Sequence, residues 1–192
     1  MMTAKELFAY AVEQATAVMV QVEDGQLKLP TPDTEWDVRT LMNHMVYELA
    51  WVADIVAGKT IAEVGTAYDG DLLGDDAVES WRRYLERARE AVADCDENSK
   101  AHLSYGDTSV ADYLLEAGND QLIHAWDLGQ AIGVSVVFDE AVAQQLYDIA
   151  AAQSDLTAGG MYAPPVSVPD SANIQTKLLA ILGRSEDWAE HR

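Results

Sequence analysis

Three residues able to bind a metal ion or exchange a proton recur at helical spacing in an apolar segment: Asp120, His124 and Asp127. At about 100° per residue, His124 falls on the same helical face as Leu114 and Leu128, and the two aspartates flank it. A histidine on an apolar face needs a buried polar partner or a metal ion, because burying an unpartnered polar group is costly. This stripe is therefore the candidate centre of the protein's chemistry.

Asp120 and His124 are four residues apart in sequence, so on a helix their side chains lie on one side, about one turn apart. A third ligand can come from an earlier predicted helix, where His44 lies at the edge of an apolar arc that faces the interior. Two imidazoles and one carboxylate are a common ligand set of catalytic zinc, and they leave a position for water or substrate. The sequence thus predicts a divalent metal site, with zinc the first choice and nickel or iron also suited.

Alternatives remain open for each of these residues, since a single histidine on an apolar face is often a hydrogen-bonded core residue. Asp127 either accepts a hydrogen bond that orients an imidazole or pairs with the backbone or an arginine. Glu48, one turn after His44, is either a solvated glutamate, a replacement for Asp120 as ligand, or a general base. The plain alternative to a metal site is a helical scaffold with polar core histidines.

The remaining reactive side chains have no such pattern. His102 lies in a predicted loop and His191 near the end of the sequence, so both are expected on the surface. Cys95 is the only cysteine and stands beside acidic residues, which raise the pKa of a thiol and make it a poor nucleophile. Without a second cysteine no internal disulfide forms, and a reducing cytoplasm is the expected location.

Charge and length restrict the partners. The 192 residues carry a formal net charge of −21, which repels phosphate backbones and anionic lipid and makes nucleic acid an unexpected partner. No basic leader or apolar run long enough for a membrane span is evident.

We expect a single helical-bundle domain over 1–192, with the core bundle at about 1–153 and a loop and short helix at 154–192.

Capping patterns predict where the helices begin. Thr3 with Glu6 forms a capping box, Asp37 and Asp76 can each cap a helix, and Gly133 can end one. The predicted helices cover about 3–21, 37–58, 76–96, 109–133, 139–153 and 171–182, with a short extended piece at 102–105. Four long helices with one or two short ones indicate an all-α bundle.

Two segments resemble the actinobacterial family of mycothiol-dependent maleylpyruvate isomerase-like proteins, which belongs to the DinB/YfiT-like superfamily. They are Trp36-Asp37-Val38-Arg39-Thr40-Leu41-Met42-Asn43-His44 and Asp120-x-x-x-His124-Ala125-Trp126-Asp127-Leu128. The resemblance implies an all-α DinB/YfiT-like four-helix bundle with one or two additional short helices at the C-terminus.

The same resemblance implies a metal held by His44, Asp120 and His124. It also implies mycothiol as a thiol cofactor, whose metal-bound sulfur attacks an electrophilic substrate in a transferase or isomerase reaction. Isomerases of the wider family have a glutamate where this chain has Asp120. This difference weakens the expectation of isomerase activity more than the expectation of metal binding. The alternative is a non-catalytic metal or small-molecule binding protein, and a homodimer is expected for such bundles.

Overall fold

The computed structural model describes residues 1–153, 156 and 162–190, which fall into two compact units. The first unit comprises residues 2–132, and the second comprises 133–192 together with Met1. The boundary between these two units lies after residue 132. That the whole chain forms a single domain stays a prediction.

Helices dominate the first unit, as the sequence predicts. They are α1 (Ala4–Met19), α2 (Val38–Val56), α3 (Ile61–Val64), α4 (Ala77–Asp94) and α5 (Val110–Ile132), with a short 3-10 helix at Asp24–Gln26. Helix α1 packs against α5, and α2 packs against both α4 and α5. Large buried side chains fill the space between them, including Leu7, Phe8, Leu49, Trp81, Leu114 and Trp126. The all-α bundle is confirmed.

The predicted caps form. The Thr3 side chain accepts from the Glu6 backbone N–H and the Glu6 carboxylate accepts from Thr3, so the capping box is complete. Asp37 accepts from the Thr40 N–H at the start of α2, and Asp76 caps α4. These contacts satisfy backbone donors that the first helical turn leaves without partners. The caps fix where α2 begins and therefore where His44 lies.

Helices α1 and α5 approach closely at Gly118. A Cβ atom added there would lie 2.6 Å from Leu7 Cδ2 and 3.2 Å from Phe8 Cα. A side chain at this crossing would require Leu7 and the neighbouring α1 backbone to shift.

A β-hairpin precedes α5 where the sequence predicted one extended piece at 102–105. Strands β1 (Lys100–Leu103) and β2 (Gly106–Ser109) pair antiparallel, with Leu103 opposite Gly106. Gly106 has φ of 132°, a conformation that other residues rarely adopt, and this allows the chain to reverse after Tyr105. The extended segment therefore starts earlier than predicted and has a partner strand.

An ion pair joins α2 to α4. Asp54 of α2 lies at the centre, where Arg87 of α4 and Lys59 both contact its carboxylate and the Tyr68 hydroxyl donates to it over 2.6 Å. Although burial raises the pKa of Asp54, these partners lower it overall. Asp54 is thus a charged anchor that holds α2 in place.

The second unit contains α6 (Glu140–Ala151) and α7 (Ile174–Ile181), which pack together, and a 3-10 helix at Glu186–Glu190. The Gln175 side chain ties α7 to the segment before α6 by bonding the Val136 carbonyl and the Phe138 N–H. Helix α7 begins at Ile174 because Asn173 caps it, slightly later than predicted. In the described part of the chain, no helix is long and apolar enough to cross a bilayer.

Candidate metal centre

Helices α2 and α5 meet at the residues that the sequence analysis singled out. The buried Gln121 side chain donates from Nε2 to the Met45 carbonyl over 3.0 Å. Gln121 follows Asp120 and Met45 follows His44, so this hydrogen bond sets the register between the two helices beside the candidate ligands. A glutamine bonded to the backbone of a neighbouring helix fixes both position and rotation.

The structure brings His44, Asp120 and His124 together. The Asp120 carboxylate lies between the two imidazoles, with Oδ2 3.5 Å from His44 Nε2 and Oδ1 3.4 Å from His124 Nε2. One ligand atom from each residue lies within 4.8 Å of the others. A set of two imidazole nitrogens and one carboxylate oxygen this close together can converge on one divalent ion.

Two of the converging atoms have no hydrogen-bond partner. His44 Nε2 and Asp120 Oδ2 are both buried, and neither is hydrogen-bonded. The 3.5 Å between them is longer than a normal N–H···O hydrogen bond. Since buried polar atoms are nearly always satisfied, two unsatisfied atoms facing each other fit a site built around a cation.

Asp127 supports this cluster from behind. Its fully buried carboxylate accepts a hydrogen bond from His124 Nδ1 over 3.0 Å. With Nδ1 donating to Asp127, Nε2 of the same ring is turned toward Asp120 and is available as a ligand. A carboxylate behind the imidazole is the usual way that proteins orient a metal-binding histidine.

The neighbouring carboxylates of Asp120 and Asp127 favour the protonated form of His124. Burial opposes charge on the imidazole, but Asp120 and Asp127 together raise the pKa of His124 to about 10. Burial also raises the pKa of Asp120, yet His124 and His44 outweigh it and lower that pKa well below its ordinary value. A metal ion bound at Nε2 would have to displace this proton, so metal binding at neutral pH would release it.

Trp36 covers the imidazoles, a role that the sequence analysis did not give it. Its ring centroid lies 4.6 Å from that of His44 and 5.7 Å from that of His124. The Trp36 carbonyl accepts hydrogen bonds from both the backbone N–H and the hydroxyl of Thr31, which hold the preceding loop. The only sequence signal was the place of Trp36 in the segment that ends at His44.

Glu48 lies beside the cluster and outside the ligand set. Its Oε1 is 4.0 Å from His44 Nδ1. Burial and the Asp120 and Glu116 carboxylates raise its pKa to about 7, although His44 and His124 act in the opposite direction. A carboxyl group with this pKa exchanges protons readily near neutral pH.

Two further reactive residues, His102 and Cys95, have partners outside the cluster. His102 bonds Asp107 over 2.8 Å within the hairpin, and His191 is outside the described residues. Cys95 donates to the Val92 carbonyl, and burial raises the pKa of its thiol. Neither His102 nor Cys95 contacts the cluster in the described hydrogen bonds.

Comparisons with known proteins agree with the fold. The family model described as the mycothiol maleylpyruvate isomerase N-terminal domain matches residues 8–129. A crystal structure of a histidine-to-alanine mutant of a mycothiol-dependent maleylpyruvate isomerase has a TM-score of 0.70 and 13% identity, over 96% of this chain and 89% of that chain. No curated protein sequence shows significant similarity to the chain. At this identity the structural likeness concerns the fold.

Proposed function

The chain belongs to the family of the mycothiol maleylpyruvate isomerase N-terminal domain, and on this premise we propose that it is a metal-dependent thiol enzyme. His44, Asp120 and His124 hold one divalent ion, zinc in the first instance and nickel as the alternative. Mycothiol is the thiol cofactor. The reaction is either the transfer of the thiol to an electrophile, which forms a thiol adduct, or an isomerisation that passes through such an adduct.

One observation carries the metal-binding part of the proposal. The Asp120 carboxylate lies between two imidazoles, and two facing atoms, His44 Nε2 and Asp120 Oδ2, are buried without hydrogen-bond partners. Three protein ligands leave a fourth zinc position for an incoming sulfur. Because Asp120 is shorter than glutamate by one methylene, the ion is expected closer to α5 than a glutamate would hold it.

An ion held by these residues would act as a Lewis acid, lowering the pKa of a coordinated thiol so that its sulfur is nucleophilic at neutral pH. Asp127 keeps His124 oriented, and Trp36 shields the imidazole faces from water. Glu48 is the candidate acceptor of the thiol proton, since its carboxylate lies next to His44. The chain needs no reactive cysteine, because the sulfur arrives with the cofactor.

Activity is tested by incubating zinc-loaded protein and mycothiol with a panel of electrophiles, beginning with maleylpyruvate. We expect consumption that requires both zinc and mycothiol and that His124→Ala abolishes. His102→Ala is the matched control, because His102 lies in the hairpin and should leave the rate unchanged. Metal binding without turnover of any electrophile would instead support a non-catalytic binding protein, and absence of metal binding would refute both functions.

A further inference from the structure

The candidate metal centre lies between two pairs of helices. In the first unit, α5 packs most extensively against α1, and α2 packs most extensively against α4. His44 belongs to α2, whereas Asp120 and His124 belong to α5. The distance from His44 to the other two candidate ligands therefore depends on how one helix pair is placed against the other.

Gln121 makes a polar contact across this division. It is fully buried, and its Nε2 donates to the Met45 carbonyl over 3.0 Å. The side chain that follows Asp120 on α5 is thus bonded to the backbone that follows His44 on α2. A shift of α2 along its axis, or a rotation about it, would break this hydrogen bond. The contact therefore restrains His44 relative to Asp120.

The same side chain is unfavourable for the stability of the fold. Among the described residues, Gln121 Oε1 is buried and has no hydrogen-bond partner. A buried amide with one end unpaired is less favourable than an apolar side chain of the same size. The Met45 carbonyl does not need this partner, because Met45 lies inside α2 and its carbonyl is an acceptor of the helical hydrogen bonds. Packing alone therefore favours an apolar residue at position 121.

We propose that Gln121 is a positioning residue of the metal centre, which keeps His44 in register with Asp120 and His124 although it lowers the stability of the fold. The inference rests on the proposed function, because it assumes that these three residues bind one ion. Zinc accepts nitrogen and oxygen ligands only at about 2.0–2.2 Å, so a small displacement of one helix weakens binding. A polar residue that departs from the packing pattern beside such a centre is typical of a functional site.

Gln121→Met tests this inference, because methionine is unbranched, has nearly the same length and helix propensity, and has no N–H donor in its side chain. Zinc affinity of the whole chain is measured by competition with a chromogenic chelator, and urea unfolding of the metal-free protein measures stability. We expect zinc affinity to fall by about tenfold, the lower end of the loss when a group that orients metal ligands is removed. The urea midpoint should stay the same or rise.

Gln175→Met is the matched control. Gln175 also ties a helix to the backbone of another segment, but both ends of its amide are bonded, to the Val136 carbonyl and the Phe138 N–H. It belongs to the second unit, whereas the three candidate ligands belong to the first. We expect the opposite result from this substitution, namely a lower urea midpoint and wild-type zinc affinity.

Wild-type zinc affinity in Gln121→Met overturns the positioning role and leaves the metal-dependent function standing. A Gln121→Met protein that loses zinc affinity together with stability, or that does not fold, also overturns it, because Gln121 would then support the fold as a whole. If the wild-type chain binds no zinc, the proposed function fails and the positioning role fails with it.

Discussion

The Asp127 carboxylate decides which nitrogen of His124 faces Asp120. Its bond to Nδ1 leaves Nε2 3.4 Å from the Asp120 carboxylate. The proposed ligand set thus depends on a residue that does not itself reach the metal, and this dependence can be measured.

Replacing Asp127 by asparagine removes the charge behind the imidazole and should weaken zinc binding by about 10- to 100-fold. Affinity is measured by competition with a chromogenic chelator, and urea unfolding reports whether the variant stays folded. Asp75→Asn, at an exposed position between the helices, is the control and should bind zinc as the wild type does. A folded Asp127→Asn protein with wild-type zinc affinity would exclude the orienting role.

At the scale of the helix, α2 carries both His44 and Glu48, and its start is fixed by a single cap. Asp37 accepts from the Thr40 N–H and hydroxyl and also pairs with Lys28. Although burial acts to raise the pKa of Asp37, these hydrogen bonds lower it from 3.8 to about 2. Its stabilising effect is therefore complete above the ordinary pKa and is lost as the pH falls toward about 2.

Asp37→Ala should lower the free energy of unfolding by about 1 kcal/mol near neutral pH. The difference from the wild type should shrink as the pH falls from about 4 to about 2, because the wild-type carboxylate becomes protonated there. Asp37→Asn separates the two effects, since asparagine keeps a cap but cannot titrate. A gap between wild type and Asp37→Ala that stays constant over this range would contradict the assignment.

The α1–α5 crossing gives a second prediction at this scale. Gly118→Ala should destabilise the protein by about 1–3 kcal/mol, because the new methyl group would meet Leu7 Cδ2 and the Phe8 backbone. The gain of about 1 kcal/mol in helix propensity when alanine replaces glycine offsets part of this loss. Gly25→Ala, which meets nothing within 4 Å, is the control in urea unfolding. A more stable Gly118→Ala protein would show that α1 and α5 do not approach this closely.

At the scale of the whole molecule, local features were predictable from the sequence and contacts between distant segments were not. The caps at Thr3, Asp37 and Asp76 formed as predicted, since each needs only residues three positions apart. The α3 helix has the same kind of capping box, between Thr60 and Glu63, but spans only four residues and gives no periodicity to detect.

The candidate site was predictable in part, because some of its residues are related by local helix spacing. The spacing of Asp120 and His124 follows from helix geometry, while the choice of His44 as their partner relied on its place on an apolar arc. Trp36 over the imidazoles and Gln121 on the Met45 carbonyl depend on how separate segments of the chain pack together. No local pattern encodes these contacts, so the structure was needed to find them.

The central claim is that His44, Asp120 and His124 bind one divalent metal ion, and elemental analysis of protein purified without a metal-affinity tag tests it most directly. We predict close to one equivalent of zinc or another divalent metal per chain in the wild type and in His102→Ala. In a folded His124→Ala protein the metal should be largely lost. Wild-type protein that holds no metal after dialysis against zinc, or His124→Ala protein that retains a full equivalent, would contradict the account.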